Sequence, residues 1–265
     1  MRLSAYVSGL GVLGPGFANW PEAEAVLTGR QPYRSAPAVL PMPAMLAAAE
    51  RRRTGRVVKL ALAIAQEATA HAGVDPQTLV SVFSSSGGDG QNCHELCLAL
   101  SLAGREVSPT RFANSVHNAA AGYWSIGTGA MTESNVLCAF DASFTAGLLE
   151  ALTQVAVDEA PILLVAYDSE YPQPLHAKRP IPDAFGVALV LTPQRRETSV
   201  AKVDAALTDL SYDRLTDPAL EALRSECPAA RSLPLLELLA QRRGGSAILE
   251  YLDVSRLEVR TEPCP

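Results

Sequence analysis

The chain has 265 residues, with 22 lysines and arginines against 28 aspartates and glutamates and a formal net charge of −6. That balance disfavours a phosphate backbone as a partner, so nucleic acid is set aside; a hydrophobic fraction of 48% with 19% charged residues excludes a disordered chain. No run reaches the ~18 apolar residues a membrane span needs, and five cysteines at irregular spacings point to reduced thiols in a cytoplasm.

Residues 4–8 read as a short strand running into Gly9, Gly11 and Gly14, and residues 20–29 as a short helix. Residues 31–44, with Pro32, Pro37, Pro41 and Pro43, form a loop. Arg51, Arg52, Arg53 and Arg56 are the one basic run, read as a solvated helix start or as a dock for an acidic partner. Residues 54–73 are the clearest helix, with Val57, Val58, Leu60, Ala61, Ile64 and Ala65 at helical spacing and Gly73 as the stop. A strand over 79–84 runs into Ser85, Ser86, Gly87 and Gly88, and a helix follows over 92–103. Residues 117–130 are small, apolar and helical; 134–140 form a strand, and Asp141 is a natural N-cap for a helix over 142–157. Strands over 161–167 and 185–192 complete an alternation that predicts a layered α/β fold with a mixed, mostly parallel sheet. Past residue 195 the pattern weakens to helices over 217–224 and 234–242, two short strands within 246–259, and a frayed end over 261–265.

Three motifs carry possible chemistry. Gly9, Gly11 and Gly14 spell G-x-G-x-x-G after a strand, but Pro15 and Gly16 extend the loop where a dinucleotide fold would open a helix. Cys93, His94 and Cys97 lie close together on one helix without a second ligand pair, which favours two core thiols over a metal site. Ser84, Ser85 and Ser86 before Gly87 resemble a nucleophile turn without the Gly-x-Ser-x-Gly frame, and the base would have to come from His71, His94, His117 or His176.

Four segments together resemble the N-terminal half of a β-ketoacyl synthase. They are the opening stretch Tyr6 to Gly16, Phe83-Ser-Ser-Ser-Gly-Gly88, Asn118-Ala-Ala-Ala-Gly-Tyr-Trp-Ser-Ile126, and the run from Lys178 through Phe185-Gly-Val-Ala-Leu-Val-Leu191. The resemblance covers roughly residues 3–193 and accounts for the glycines without a dinucleotide. It implies a thiolase-like half-fold whose C-terminal half is missing or reduced, divided here into residues 1–195 and a short extension, 196–265, packing on it.

The departures from the family shape the functional expectation. The family's nucleophile is a cysteine at the N-terminus of the helix after the central strand, where the helix dipole and backbone N–H groups favour a thiolate. That junction here reads Cys138-Ala-Phe140-Asp141-Ala142-Ser143-Phe144, which puts Phe140 at the nucleophile position and leaves Cys138 as the remaining catalytic candidate, otherwise a buried small hydrophobe. A complete synthase also supplies two histidines and a lysine from its second half, and no histidine follows His176 in this sequence. The resemblance therefore implies a non-catalytic partner, a chain length factor of the aryl polyene type, needing neither cofactor nor metal. Such a protein pairs with a full-length synthase, or with itself, and meets acyl carrier protein. Ser134, Val136 and Leu137 on the strand before the junction, with Asn118, would form the interface. Phe112, Tyr123, Trp124, Phe140 and Phe144 would wall the acyl tunnel. The alternative is an acyl-thioester transferase or hydrolase using Cys138 or a serine.

Overall fold

Residues 2–265 are described by a computed structural model, in which eight strands join one sheet. They are β1 (Leu3–Leu13), β2 (Val80–Ser84), β3 (Ser134–Leu137), β4 (Ile162–Asp168), β5 (Phe185–Thr192), β6 (Ala201–Thr208), β7 (Gly245–Glu250) and β8 (Arg256–Pro263), in the spatial order β3-β2-β4-β5-β1-β6-β8-β7. The helices are α1 (Trp20–Leu27), α2 (Ala48–Arg51), α3 (Arg56–Ala72), α4 (Gly90–Ser101), α5 (Pro109–Ala113), α6 (Ala119–Thr128), α7 (Ser143–Asp158), α8 (Pro218–Glu226) and α9 (Leu233–Ala240).

The layered, mixed α/β sheet is as expected, but its strands are mostly antiparallel. Only β2 pairs in parallel, with β3 and β4; the other pairings are antiparallel. The reason lies in the connections. Parallel neighbours need long crossovers, and helices α4 to α7 supply these only among β2, β3 and β4. A short turn reverses the chain between β7 and β8, while β5 passes across β1 into β6 without reversing, so both lie antiparallel to β1 on its two sides.

Two cores line the two faces of the sheet. Along β4, Ile162, Leu164 and Ala166 point to one core while Leu163, Val165 and Tyr167 point to the other. The first core is closed by α1, α7, α8 and α9, the second chiefly by α3 and α6. Helix α3 lies hard against β1. A Cβ on Gly9 would strike the Ala68 carbonyl oxygen, and one on Gly11 the Ile64 carbonyl oxygen. These two glycines of the G-x-G-x-x-G run thus serve backbone-to-backbone packing. Strand β1 also extends well past the residue 8 expected. Its ladder with β6 ends at Val7, and side chains of α3 take over: His71 Nδ1 accepts from the Leu10 amide at 3.1 Å and Glu67 from the Val12 amide at 2.9 Å.

The C-terminal region is more ordered than its pattern suggested. β6 reads as an alternating strand with Ala201, Val203 and Ala205 inward. Thr261 pairs with Val203 inside β8, and the Cys264 amide donates to the Val200 carbonyl at 3.0 Å, so the expected fraying at 261–265 does not occur. The two edges of the sheet differ. On β7, Asp213 takes both backbone groups of Ile248, accepting from its amide at 2.8 Å and donating its own amide to the carbonyl at 2.9 Å. The outer side of β3 pairs with no strand among the described residues.

Candidate functional site

The carboxyl ends of the parallel strands β2, β3 and β4 converge on one small region. β3 stops at Leu137, three residues short of the expected strand, and Cys138 follows with its thiol donating to the Ser86 carbonyl at 3.2 Å. Cys138 is exposed, not the buried hydrophobe expected, because it has left the strand for the turn. Phe140–Ala142 form a 3-10 turn that leads into α7. The Ser143 hydroxyl pins this turn, donating to the Phe140 carbonyl at 2.7 Å and accepting from the Ala139 amide at 3.0 Å. Phe140 has φ +52°, a left-handed conformation that costs a bulky residue of order 1–3 kcal/mol and persists only where surrounding structure imposes it. Its ring is 62% exposed and lies 3.9 Å from the Arg179 guanidinium.

Asp141 does not cap α7; the capping residue is Ala142, with no side-chain bond. Two arginines hold the Asp141 carboxylate elsewhere: Arg179 at 2.7 Å and Arg231 at 3.0 Å. Charge-assisted bonds of this kind outweigh a single amide contact. Arg231 also reaches Glu250 at 3.3 Å, and Glu250 binds the buried Arg224 at 2.6 Å. A chain of ion pairs thus ties the turn to the C-terminal region. Between them lies a cavity of about 740 Å³ lined in part by Phe140, Asp141, Arg231, Tyr251 and Leu252.

Beneath the turn sits Asp168, at the end of β4 and 3% exposed. Its Oδ1 accepts from the Ser86 amide at 2.8 Å and the Ser86 hydroxyl at 2.6 Å, while Oδ2 has no partner. Burial pushes its pKa up to about 6, against the opposing pull of the Ser86 bonds and the nearby Arg179. The buried Cys227 thiol is pushed up as well, by burial and then by Asp168, so it is inert at neutral pH. Sequence reasoning missed Asp168, Arg179 and Arg231; the one available signal was a fully apolar strand ending in an acid.

The serine cluster is committed to structure. Ser84 donates to the Ser143 carbonyl and Ser86 to Asp168. His117 Nε2 lies 3.1 Å from the Ser85 backbone oxygen, and no serine hydroxyl bonds a histidine among the described residues. Cys93 and Cys97 are exposed on α4, not core, since α4 lies at the periphery with only Asn92 buried. The five aromatic residues are not gathered into one wall. Tyr123 and Trp124 are buried in the core beneath α3, Phe144 in the core on the opposite face of the sheet, and Phe112 and Phe140 are exposed. Ser134 and Asn135 are exposed along the open edge, Val136 and Leu137 are half-buried, and exposed Asn118 precedes α6.

A mixed sheet covered on both faces, with a tight strand-to-helix turn at the ends of its parallel strands, is the thiolase-like ketosynthase fold. The family model described as β-ketoacyl synthase, N-terminal domain, matches residues 18–244, and the chain belongs to that family. No curated protein matches the sequence. Among solved structures, the chain is similar to one in a complex of a ketosynthase (ApeO) with its chain length factor (ApeC) from Xenorhabdus doucetiae. The TM-score is 0.73 at 22% identity, over 97% of this chain and 99% of that one. It is also similar to a chain of the ishigamide ketosynthase/chain length factor, with TM-score 0.72 at 15% identity over 99% and 100%. A third likeness is to a chain of AntDE:AntF, a type II polyketide synthase acyl carrier protein in complex with its ketosynthase, with TM-score 0.75 at 10% identity over 100% of both. No helix among the described residues is long and apolar enough to cross a membrane.

Proposed function

We propose that this chain is a chain length factor: a ketosynthase-like subunit that pairs with an active β-ketoacyl synthase and shapes the product without performing the condensation itself. The observation that carries the reading is Phe140. At the turn where the family places its nucleophilic cysteine, this chain puts an aromatic ring, held left-handed and stacked on Arg179. A phenyl ring cannot attack a thioester. The structural likenesses support the reading, since the complexes concerned hold a ketosynthase with a chain length factor, and one holds an acyl carrier protein. The open β3 edge supports it too, because an unpaired strand presents N–H and C=O groups that a partner strand satisfies. The setting is a cytoplasmic acyl-assembly pathway of the aryl polyene type, and five free cysteines fit a reducing compartment.

Co-expression with a complete synthase encoded nearby, followed by size-exclusion chromatography, tests the pairing: a stable complex is expected. The purified chain alone, given malonyl and acyl carrier protein thioesters, should show no condensation, and turnover without a second synthase would overturn the reading. Mass spectrometry after incubation with an acyl thioester addresses the second reading, which the exposure of Cys138 beside the turn keeps open. A covalent adduct on Cys138 would make the chain an acyltransferase or hydrolase.

A further inference from the structure

Between Arg111 and Lys178 the sequence contains no lysine or arginine, while seven carboxylates fall in the same run. This run holds β3, the open edge of the sheet, and the two helices that flank it, α6 and α7. Asp141 is tied to Arg179 and Arg231, Glu170 to Arg56, and Asp168 is buried. The remaining four, Glu133, Glu150, Asp158 and Glu159, enter no ion pair among the described residues. Glu133 directly precedes β3. Glu150, on α7, accepts from the Asn135 side chain at 3.3 Å. Asp158 and Glu159 are exposed at the end of α7 that leads into β4, at the same end of the sheet as Glu133. Two residues before Glu133, Met131 stands 96% exposed.

Backbone pairing along a strand edge is nearly indifferent to sequence, so what flanks the edge must decide which strand is accepted. We propose that the acidic border of β3 selects a strand flanked by lysines or arginines on a different chain and rejects β3 of a second copy; the inference rests on the partner reading above. Two copies joined at this edge would bring four uncompensated carboxylates together with four more along one seam, a repulsion that low salt, with a screening length of about 30 Å at 0.01 M, leaves in force. A basic partner neutralises the same groups and is drawn in by them. On the other edge, Asp213 already takes both backbone groups of Ile248 at the centre of β7.

The test uses the full chain alone and in pairs. One variant carries E133Q, E150Q, D158N and E159Q; another carries E133K, D158K and E159K. Circular dichroism establishes that each is folded. By sedimentation equilibrium at low salt, the neutral variant should self-associate at least about tenfold more tightly than the native chain. Native chain mixed with the lysine variant should form a mixed pair at low salt and lose it near 1 M salt, where screening shortens to about 3 Å. Val136→Asp should abolish that pair. A native chain that self-associates through β3 as tightly as the neutral variant, or a mixture that never pairs, overturns the proposal. If the mixed pair forms while no complete synthase binds the native chain, the charge rule stands and the partner function falls.

Discussion

Phe140 and Asp168 illustrate how a single residue can be read for function or for stability. Because the Phe140 ring is exposed, removing it creates no core cavity. Phe140→Gly also relieves a left-handed φ of +52°, so the melting temperature should hold or rise, against a loss of about 0.5–1 kcal/mol from the contact with Arg179. In a complex with a synthase the same substitution should change product length, because it enlarges the cavity at the turn. A lowered melting temperature with unchanged products would refute the tunnel role. Asp168 is a matter of linkage. Its pKa is about 6 in the folded chain against 3.8 unfolded, so the folded state holds the proton between those values and the unfolded state does not. Stability from this group is therefore present below pH 3.8, declines as pH rises to 6, and stays low above it. The gap corresponds to about 3 kcal/mol. Asp168→Asn should flatten the fall in denaturation free energy between pH 4 and pH 7 by a comparable amount, as chemical denaturation across that range would show.

At the scale of elements, α3 and β3 make opposite demands on their neighbours. α3 packs against β1 with no room for a side chain at Gly11, where the obstacle is a helix carbonyl that cannot swing aside. Gly11→Ala should cost about 3 kcal/mol, read as a lower denaturant midpoint with unchanged slope. β3 has the opposite character: its outer edge is bare. Val136→Asp is half-buried and should be tolerated by the monomer, yet weaken assembly with a synthase. An unchanged elution volume for the mixture, with the fold intact by circular dichroism, would exclude β3 as the interface.

For the molecule as a whole, the question is how the residues beyond β5 are fastened to the rest of the sheet. β6, β8 and β7 extend the sheet, and the ion-pair chain Arg224–Glu250–Arg231–Asp141 links that extension to the turn bearing Phe140. Arg224 is buried and holds Glu221 at 2.7 Å as well as Glu250. Arg224→Met would leave Glu221 uncompensated and Glu250 with Arg231 alone, and should lower stability by about 3 kcal/mol. Its effect should extend beyond α8: hydrogen exchange should quicken at the 140–142 turn, whose arginine partner is held by the same chain of charges.

Much of this was written into the sequence locally. The helical spacing of α3, the apolar run of β5 and the ordered segments around Phe83, Asn118 and Phe185 marked the elements and the family, because periodicity and turn residues report which positions are covered. What covers them is a different matter. Strand direction depended on which connections happened to carry helices. The glycines of β1 found their reason only in the backbone of α3, more than fifty residues away. Asp141 lost its capping role to arginines 38 and 90 residues further on. Rings close in sequence, such as Phe140 and Phe144, fell into solvent and core, and Trp124 was placed across the sheet from Phe144. Each of these outcomes is set by long-range contacts whose energy exceeds local preference, and only the tertiary structure decides among such contacts.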